Sequence, residues 1–169
     1  YREWGKELGI EVLQMEAFSG EYVSSSAIRK LLLQGNVEKA AKLLGRPYEL
    51  CGNVVDGYKV GRTIGFPTAN LCPEKGKLIP APGVYAVWVI LPNGDRHKGM
   101  LNIGNRPTLD NGDGISIEVH LLHFKGDLYN QPLRLLFGNR VRDEHRFGSL
   151  EELQLQLRQD AVSAELLLG

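Results

Sequence analysis

No stretch of this chain approaches the roughly 20 consecutive apolar residues that a bilayer-spanning helix needs. No secretory leader is visible at its start. Both absences argue against a membrane partner and make the cytoplasm the default location. The chain opens on Tyr1 rather than methionine, so it reads as part of something longer. Its two cysteines, Cys51 and Cys72, are too few for a disulfide scaffold. They read as small buried hydrophobes. Net charge is also missing: Lys+Arg and Asp+Glu stand at 20 each. A dedicated nucleic-acid binder would show a basic excess, so none is expected. The familiar chemical motifs are missing too. There is no G-x-x-x-x-G-K-[ST]; "GNVVDGYK" (52–59) has the glycine spacing, but Tyr58 stands before the lysine and no Ser or Thr follows it. There is no G-x-G-x-x-G after a strand, no H-E-x-x-H and no C-x-x-C. His120 and His123 are three apart, which on a strand puts them on opposite faces, so they read as structural.

What is present is the composition of a folded domain. The chain has 169 residues, 43% apolar and 24% charged. That length suits one domain, or one plus a fragment, and buries roughly 70% of its unfolded surface without a staple. Twenty glycines fit many turns between short strands.

The pattern changes character near residue 46. Before it, "IEVLQM" (10–15) predicts a strand and "SSSAIRKLLLQG" a helix, capped by Ser24 or Ser25 and closed by Gly35. Asn36 then caps "VEKAAKLL", which Gly45 ends. After "GRPY" the period drops to two. "ELCGNVV", "TANL", "GVYAVWVI", "HKGMLNIG", "ISIEVHLLHF" and "PLRLLFGNRV" predict six strands. Asn93-Gly94 marks a hairpin. Ser149 and Glu152 form a capping box before a closing helix. Antiparallel strands that must hide their edges close into a barrel. Function is expected in the long loops at 57–66, 105–115 and 142–148.

Within "VGRTIGFPTANL" (60–71), Pro67 cannot donate to a ladder and belongs at a strand start. Thr68 and Asn70 then share one face, while Ala69 and Leu71 share the other and pack inward. The exposed pair offers a hydroxyl and an amide oxygen, hard neutral ligands that suit Mg²⁺. Gly57, Gly61 and Gly65 allow close approach of the backbone to an anion, and Arg62 supplies a charge. In "SIEVHLL", Glu118 and His120 share the face opposite Ile117, Val119 and Leu121. A carboxylate on a rigid strand can serve as a general base. A plain turn entering a half-exposed strand, with a solvated glutamate nearby, explains the same residues. The residues alone leave both readings open.

Taken together, "GFPTANL", "GVYAVWV", "LNIGNRPT", "IEVHLL" and "RDEHRFGSLEEL" resemble the riboflavin kinase domain in order and spacing across residues 47–169. "VSSSAIRKLLLQGNVEKAAKLLGRPY" resembles the C-terminal edge of the flavin adenylyltransferase domain. Bacterial bifunctional FAD synthetases fuse that domain ahead of the kinase. The resemblance implies a mainly β fold: a six-stranded antiparallel Greek-key barrel with a C-terminal helix, preceded by a short helical remnant. It divides the chain into residues 1–46, remnant and linker, and 47–169, the kinase. It implies ATP-dependent phosphorylation of the riboflavin 5′-hydroxyl, giving FMN and ADP, with Mg²⁺ or another divalent metal. No adenylyltransferase activity is expected, because the rest of that domain would be a missing N-terminal partner.

By the same resemblance, Thr68 and Asn70 bind the metal and the nucleotide phosphates. Gly57 and Arg62 lie in the loop over ATP, the Arg62 match being loose. Glu118 is the catalytic base. Arg142 and Phe147 belong to a flap beside the flavin. Ser24, Ser25, Ser26, Ile28 and Arg29 match a nucleotide-contacting motif of the other domain, without its upstream histidine motif. Two rival readings use the same barrel: a split-barrel FMN-binding NAD(P)H flavin reductase, and a ligand-binding barrel with no chemistry.

Overall fold

Short strands leave open edges that closure removes. The computed structural model, which describes residues 1–13, 23–57, 60–105 and 114–169, shows that closure. Strands β1 (Glu49–Val55), β2 (Ala69–Pro73), β3 (Gly83–Ile90), β4 (Arg96–Asn105), β5 (Ile115–Leu121) and β6 (Pro132–Arg142) form an antiparallel barrel in the order β1-β2-β5-β4-β3-β6. Strands β3, β4 and β5 are successive neighbours and β6 returns beside β3, the Greek-key path. At the β3–β4 hairpin the Gly94 N–H donates to the Leu91 carbonyl (2.9 Å), and Gly94 takes φ 90°, which a side chain would resist. The expected strand at 10–15 does not form: residues 10–13 are irregular, and 14–15 lie outside the described residues. No described strand pairs with residues 10–13 to complete a ladder.

Among the described residues there are five helices: α1 (Arg2–Leu8), α2 (Ser25–Leu33), α3 (Val37–Leu44), α4 (Val60–Thr63) and α5 (Leu150–Leu167). The Ser24 hydroxyl accepts from the Ala27 N–H (3.1 Å) and starts α2. Gly35 and Gly45, both left-handed, end α2 and α3. Asn36 stands at the start of α3, but its side chain makes no capping bond. At α5 the Ser149 hydroxyl accepts from the Glu152 N–H (3.1 Å) while the Glu152 carboxylate accepts from the Gly148 N–H (2.9 Å).

Two apolar clusters hold these parts. Inside the barrel, Tyr85, Phe137, Leu101, Ile103 and Leu135 are buried, and Leu32, Val37 and Ala40 of α2 and α3 join them. The helix pair is therefore part of the barrel's own core. Arg140 of β6 fastens it: Nη1 donates to the Gln34 carbonyl (3.0 Å), and its backbone N–H donates to Glu38 Oε1 (2.7 Å). A second cluster lies under α5, where Ala86, Met100 and Leu122 meet Ala164, with Leu157, Ala161 and Leu168 against them. Strand β3 is covered on both faces, which explains its nearly unbroken apolar run. Each large side chain buried this way contributes about 1.5–3 kcal/mol.

The cysteines depart from expectation. Cys51 is half-buried and Cys72 exposed. They alternate with the core residues Leu50 and Leu71, so the pleat turns them outward.

Candidate active site

The site grows from one strand pairing. On β2 and β5, Asn70 stands opposite Glu118 and Ala69 opposite Val119. On the other side of β5, Glu118 stands opposite Asn102 of β4. A polar row, Asn70–Glu118–Asn102, thus crosses three strands on one face, while Ala69, Val119 and Leu101 face the core. Thr68 lies just before β2, and its hydroxyl donates to Glu118 Oε2 at 3.3 Å. Residues 50 positions apart in sequence are brought into one cluster.

Asn70 is 8% exposed, against the expectation of an open face. The cause is the β1–β2 connection, which folds over it. A β-carbon on Gly57 would come 2.0 Å from Asn70 Nδ2, so any side chain there would have to displace the amide or the connection. Gly61 is equally constrained, by the Phe66 carbonyl 2.2 Å from a β-carbon position, and Gly65 takes φ 83°. These three glycines shape the connection itself. Arg62 lies within it on the single-turn α4, with an exposed side chain.

His120, two residues after Glu118, steadies the entry to β2. Its Nδ1 is 2.7 Å from the Pro67 carbonyl. A carbonyl only accepts, so Nδ1 carries the proton. The ring also meets Phe66 edge-on at 5.3 Å. Burial, more than the nearby His123, pushes its pKa below the usual histidine value, although the Pro67 bond opposes this. The imidazole is therefore neutral at pH 7. His123 pairs with Glu165 at 3.1 Å, so both histidines have structural partners.

Two cavities meet at Thr68. One is lined by Asp56, Gly57, Arg62, Thr68, Asn70 and Tyr129, among others. The other runs between the sheet and α5 and is lined by Thr68, Glu118, His120, Arg142, Glu144 and Phe147, among others. Every residue expected at the site lines one or the other, and Thr68 lines both. Arg142 is held by a buried partner absent from the sequence reading, Asp160 of α5, through Nε (3.0 Å) and Nη2 (2.7 Å). Its guanidinium lies 5.6 Å from the Phe147 ring centre. Asp160 falls three residues after Leu157 and four before Ala164 on the apolar stripe of α5, and that misplaced charge was its signal. Ser24, Ser25, Ser26, Ile28 and Arg29 line neither cavity.

The donor set suits a hard divalent cation. Thr68 and Asn70 supply neutral oxygens beside the Glu118 carboxylate, and Mg²⁺ needs only one or two protein ligands, completing its shell with water and phosphate. Among the described residues, no group of three or more His, Cys, Asp or Glu side chains could cage a metal on its own. No described helix is long and apolar enough to cross a membrane.

The chain is similar to known proteins. The riboflavin kinase (Flavokinase) family profile matches residues 44–168. A bifunctional riboflavin kinase/FMN adenylyltransferase of Escherichia coli K12 is 40% identical over 167 residues, covering 98% of this chain and 53% of that protein. The Bacillus subtilis protein of the same description is 41% identical over 144 residues, covering 84% of this chain and 45% of its own length. The chain thus spans about half the length of the curated relatives it matches. Among solved structures, one described as a macrolide-efflux protein from Streptococcus pneumoniae has a TM-score of 0.81 at 36% identity, covering 92% of this chain and 50% of that one. A riboflavin kinase from Trypanosoma brucei shares the fold, with a TM-score of 0.51 at 22% identity over 72% of this chain and 80% of that one.

Proposed function

This chain belongs to the riboflavin kinase family, and from that premise we propose that it transfers the γ-phosphoryl group of ATP to the 5′-hydroxyl of riboflavin, giving FMN and ADP. The observation that supports this most is the position of Thr68. It stands where the two cavities meet, with its hydroxyl 3.3 Å from the Glu118 carboxylate. A reaction that joins two substrates needs such a junction, with a proton acceptor on one side and phosphate-side oxygens on the other.

In this reading ATP occupies the cavity of Gly57, Arg62 and Asn70, and riboflavin the cavity of Glu118, Arg142 and Phe147. Thr68 and Asn70 hold the divalent ion that accompanies the nucleotide, Mg²⁺ or another. That ion supplies charge neutralisation on the phosphates. Phosphoryl transfer depends mainly on positioning and electrostatics. Glu118 accepts the proton of the ribityl hydroxyl, and the Thr68 hydroxyl holds one of its carboxylate oxygens in place. Arg62 faces the triphosphate from α4. Neutral His120 keeps Thr68 in register through the preceding carbonyl.

Residues 1–46 we assign to the trailing edge of a flavin adenylyltransferase unit and its linker, and residues 47–169 to the kinase. The relatives that this chain half-covers combine both activities by description. An ATP-consuming flavin kinase belongs in the cytoplasm. The test is direct: incubate the protein with riboflavin, ATP and Mg²⁺ and resolve the flavins chromatographically. FMN and ADP are expected in equal amounts. Turnover of NAD(P)H without FMN formation would identify a reductase, and riboflavin binding without product a carrier.

A further inference from the structure

The Arg142–Asp160 pair raises a question that the transfer step does not answer. Asp160 is 1% exposed, in the middle of the apolar stripe of α5. A lone carboxylate there is strongly unfavourable, and Arg142 compensates it. Its Nε is 3.0 Å from both Asp160 oxygens and its Nη2 2.7 Å from Oδ2. Gln156 Nε2 donates to Oδ1 at 2.9 Å from one turn earlier. Arg142 Nη1 donates to the Asp143 carbonyl at 2.9 Å. A guanidinium has five N–H bonds. Three are directed by these contacts, and the guanidinium lines the cavity 5.6 Å from the Phe147 ring centre.

What Arg142 presents to the cavity is therefore a guanidinium with its charge cancelled by the buried Asp160. The same cavity is also lined by the carboxylates Glu118 and Glu144. Such a wall favours an uncharged ligand rich in carbonyls and hydroxyls and disfavours an anion. Resting on the functional reading above, the two flavins differ in this respect. Riboflavin is uncharged, whereas the phosphate of FMN carries about −1.5 to −2 at pH 7.

We propose that Asp160 is a specificity-determining positioning residue: by cancelling the charge of Arg142 in a fixed orientation, it makes the flavin cavity hold the uncharged substrate and reject the anionic product. Without Asp160, Arg142 would become an anion receptor, and FMN would remain on the enzyme.

The test compares affinities for riboflavin and FMN, by quenching of flavin fluorescence, for the parent, D160N and the double variant R142Q/D160N. Circular dichroism checks the fold of each. D160N is expected to shift the affinity ratio toward FMN by about threefold or more, as an uncancelled charge in a partly screened site would. The double variant, with the parent's net charge restored, returns the ratio to the parent value. A role in packing alone would weaken both flavins equally, and an unchanged ratio in D160N overturns the proposal. So does a double variant that keeps the shifted ratio. Should D160N not fold, the parent alone decides. Added salt should strengthen FMN relative to riboflavin by screening the carboxylates, and the opposite trend overturns the proposal. A parent protein that binds neither flavin would instead refute the functional reading itself.

Discussion

Gly57 passes so close to Asn70 that a β-carbon would come within 2.0 Å of the amide nitrogen and 2.4 Å of its carbon. The β1–β2 connection and the first residues of β2 are thus fitted to one another. Gly57→Ala must displace either the connection or the amide. Forcing an extra methyl into a filled space costs about 1–3 kcal/mol. The contact lies at a cavity wall rather than in the barrel core, so the loss should appear in nucleotide binding more than in melting temperature. Calorimetry with Mg²⁺-ATP should show affinity reduced about tenfold or more, with riboflavin binding little changed.

Thr68→Ala and Asn70→Ala should separate in stability while agreeing in function. Both remove an oxygen assigned to the metal and the phosphates. Thr68 is half-buried, and its loss should hardly move the melting temperature. Asn70 is 8% exposed beneath Gly57, and removing a buried polar group costs about 1–3 kcal/mol. Each variant should bind Mg²⁺-ATP more weakly than the parent. Unaltered nucleotide affinity in both would remove them from the site.

The barrel was legible because its evidence is local. Period-two alternation, Asn93-Gly94 and the Ser149 capping box each act over a few residues, and all reappear in the structure. The Thr68–Asn70–Glu118 cluster was legible only through resemblance, since periodicity cannot reveal which strand lies beside which. The burial of Asn70 was not legible, because it depends on where the chain crosses at Gly57. Asp160 escaped for a similar reason: the apolar stripe of α5 marks its charge as misplaced, but its partner Arg142 is 18 residues away and becomes evident only once β6 is placed beneath the helix. The segment at 10–15 failed the other way, its alternation being real but without a described neighbouring strand to pair with.

The family profile begins at residue 44, and the serine-rich segment before it lines neither cavity. The chain should therefore form FMN and stop there. With FMN, ATP and Mg²⁺, chromatography should show no FAD. FAD appearing in proportion to the purified chain would mean that the cluster at 24–29 acts on its own.

His120 makes stability depend on pH. Its pKa is lowered in the folded state, chiefly by burial. The unfolded chain therefore takes up a proton at higher pH than the folded one, so stability rises with pH across that interval. The contribution is complete above the unfolded value of about 6.5 and is lost as the pH falls through the folded value. His120→Gln should flatten the fall in denaturation midpoint between about pH 7 and pH 5. Parallel profiles for parent and variant would show that another group controls the slope.

Glu118→Gln tests the chemistry most sharply. The variant keeps the shape of the side chain, and its amide oxygen can still accept from the Thr68 hydroxyl, 3.3 Å away in the parent. What it loses is the ability to take a proton. General-base catalysis contributes roughly 10²–10⁴-fold. A loose phosphoryl-transfer transition state needs little early deprotonation, which places the expected loss near the lower end. Mg²⁺-ATP affinity should be largely spared, because Glu118 lines the other cavity. A merely solvated strand residue would behave differently, since surface substitutions usually fall within about 0.5 kcal/mol and would leave turnover near normal. Single-turnover phosphorylation of riboflavin at saturating Mg²⁺-ATP distinguishes the two. If the Gln variant runs within a few-fold of the parent, Glu118 is not the base. Glu144 would then be the first carboxylate to test, because it lines the same cavity, whereas Asp143 is paired with Arg140 at 2.9 Å.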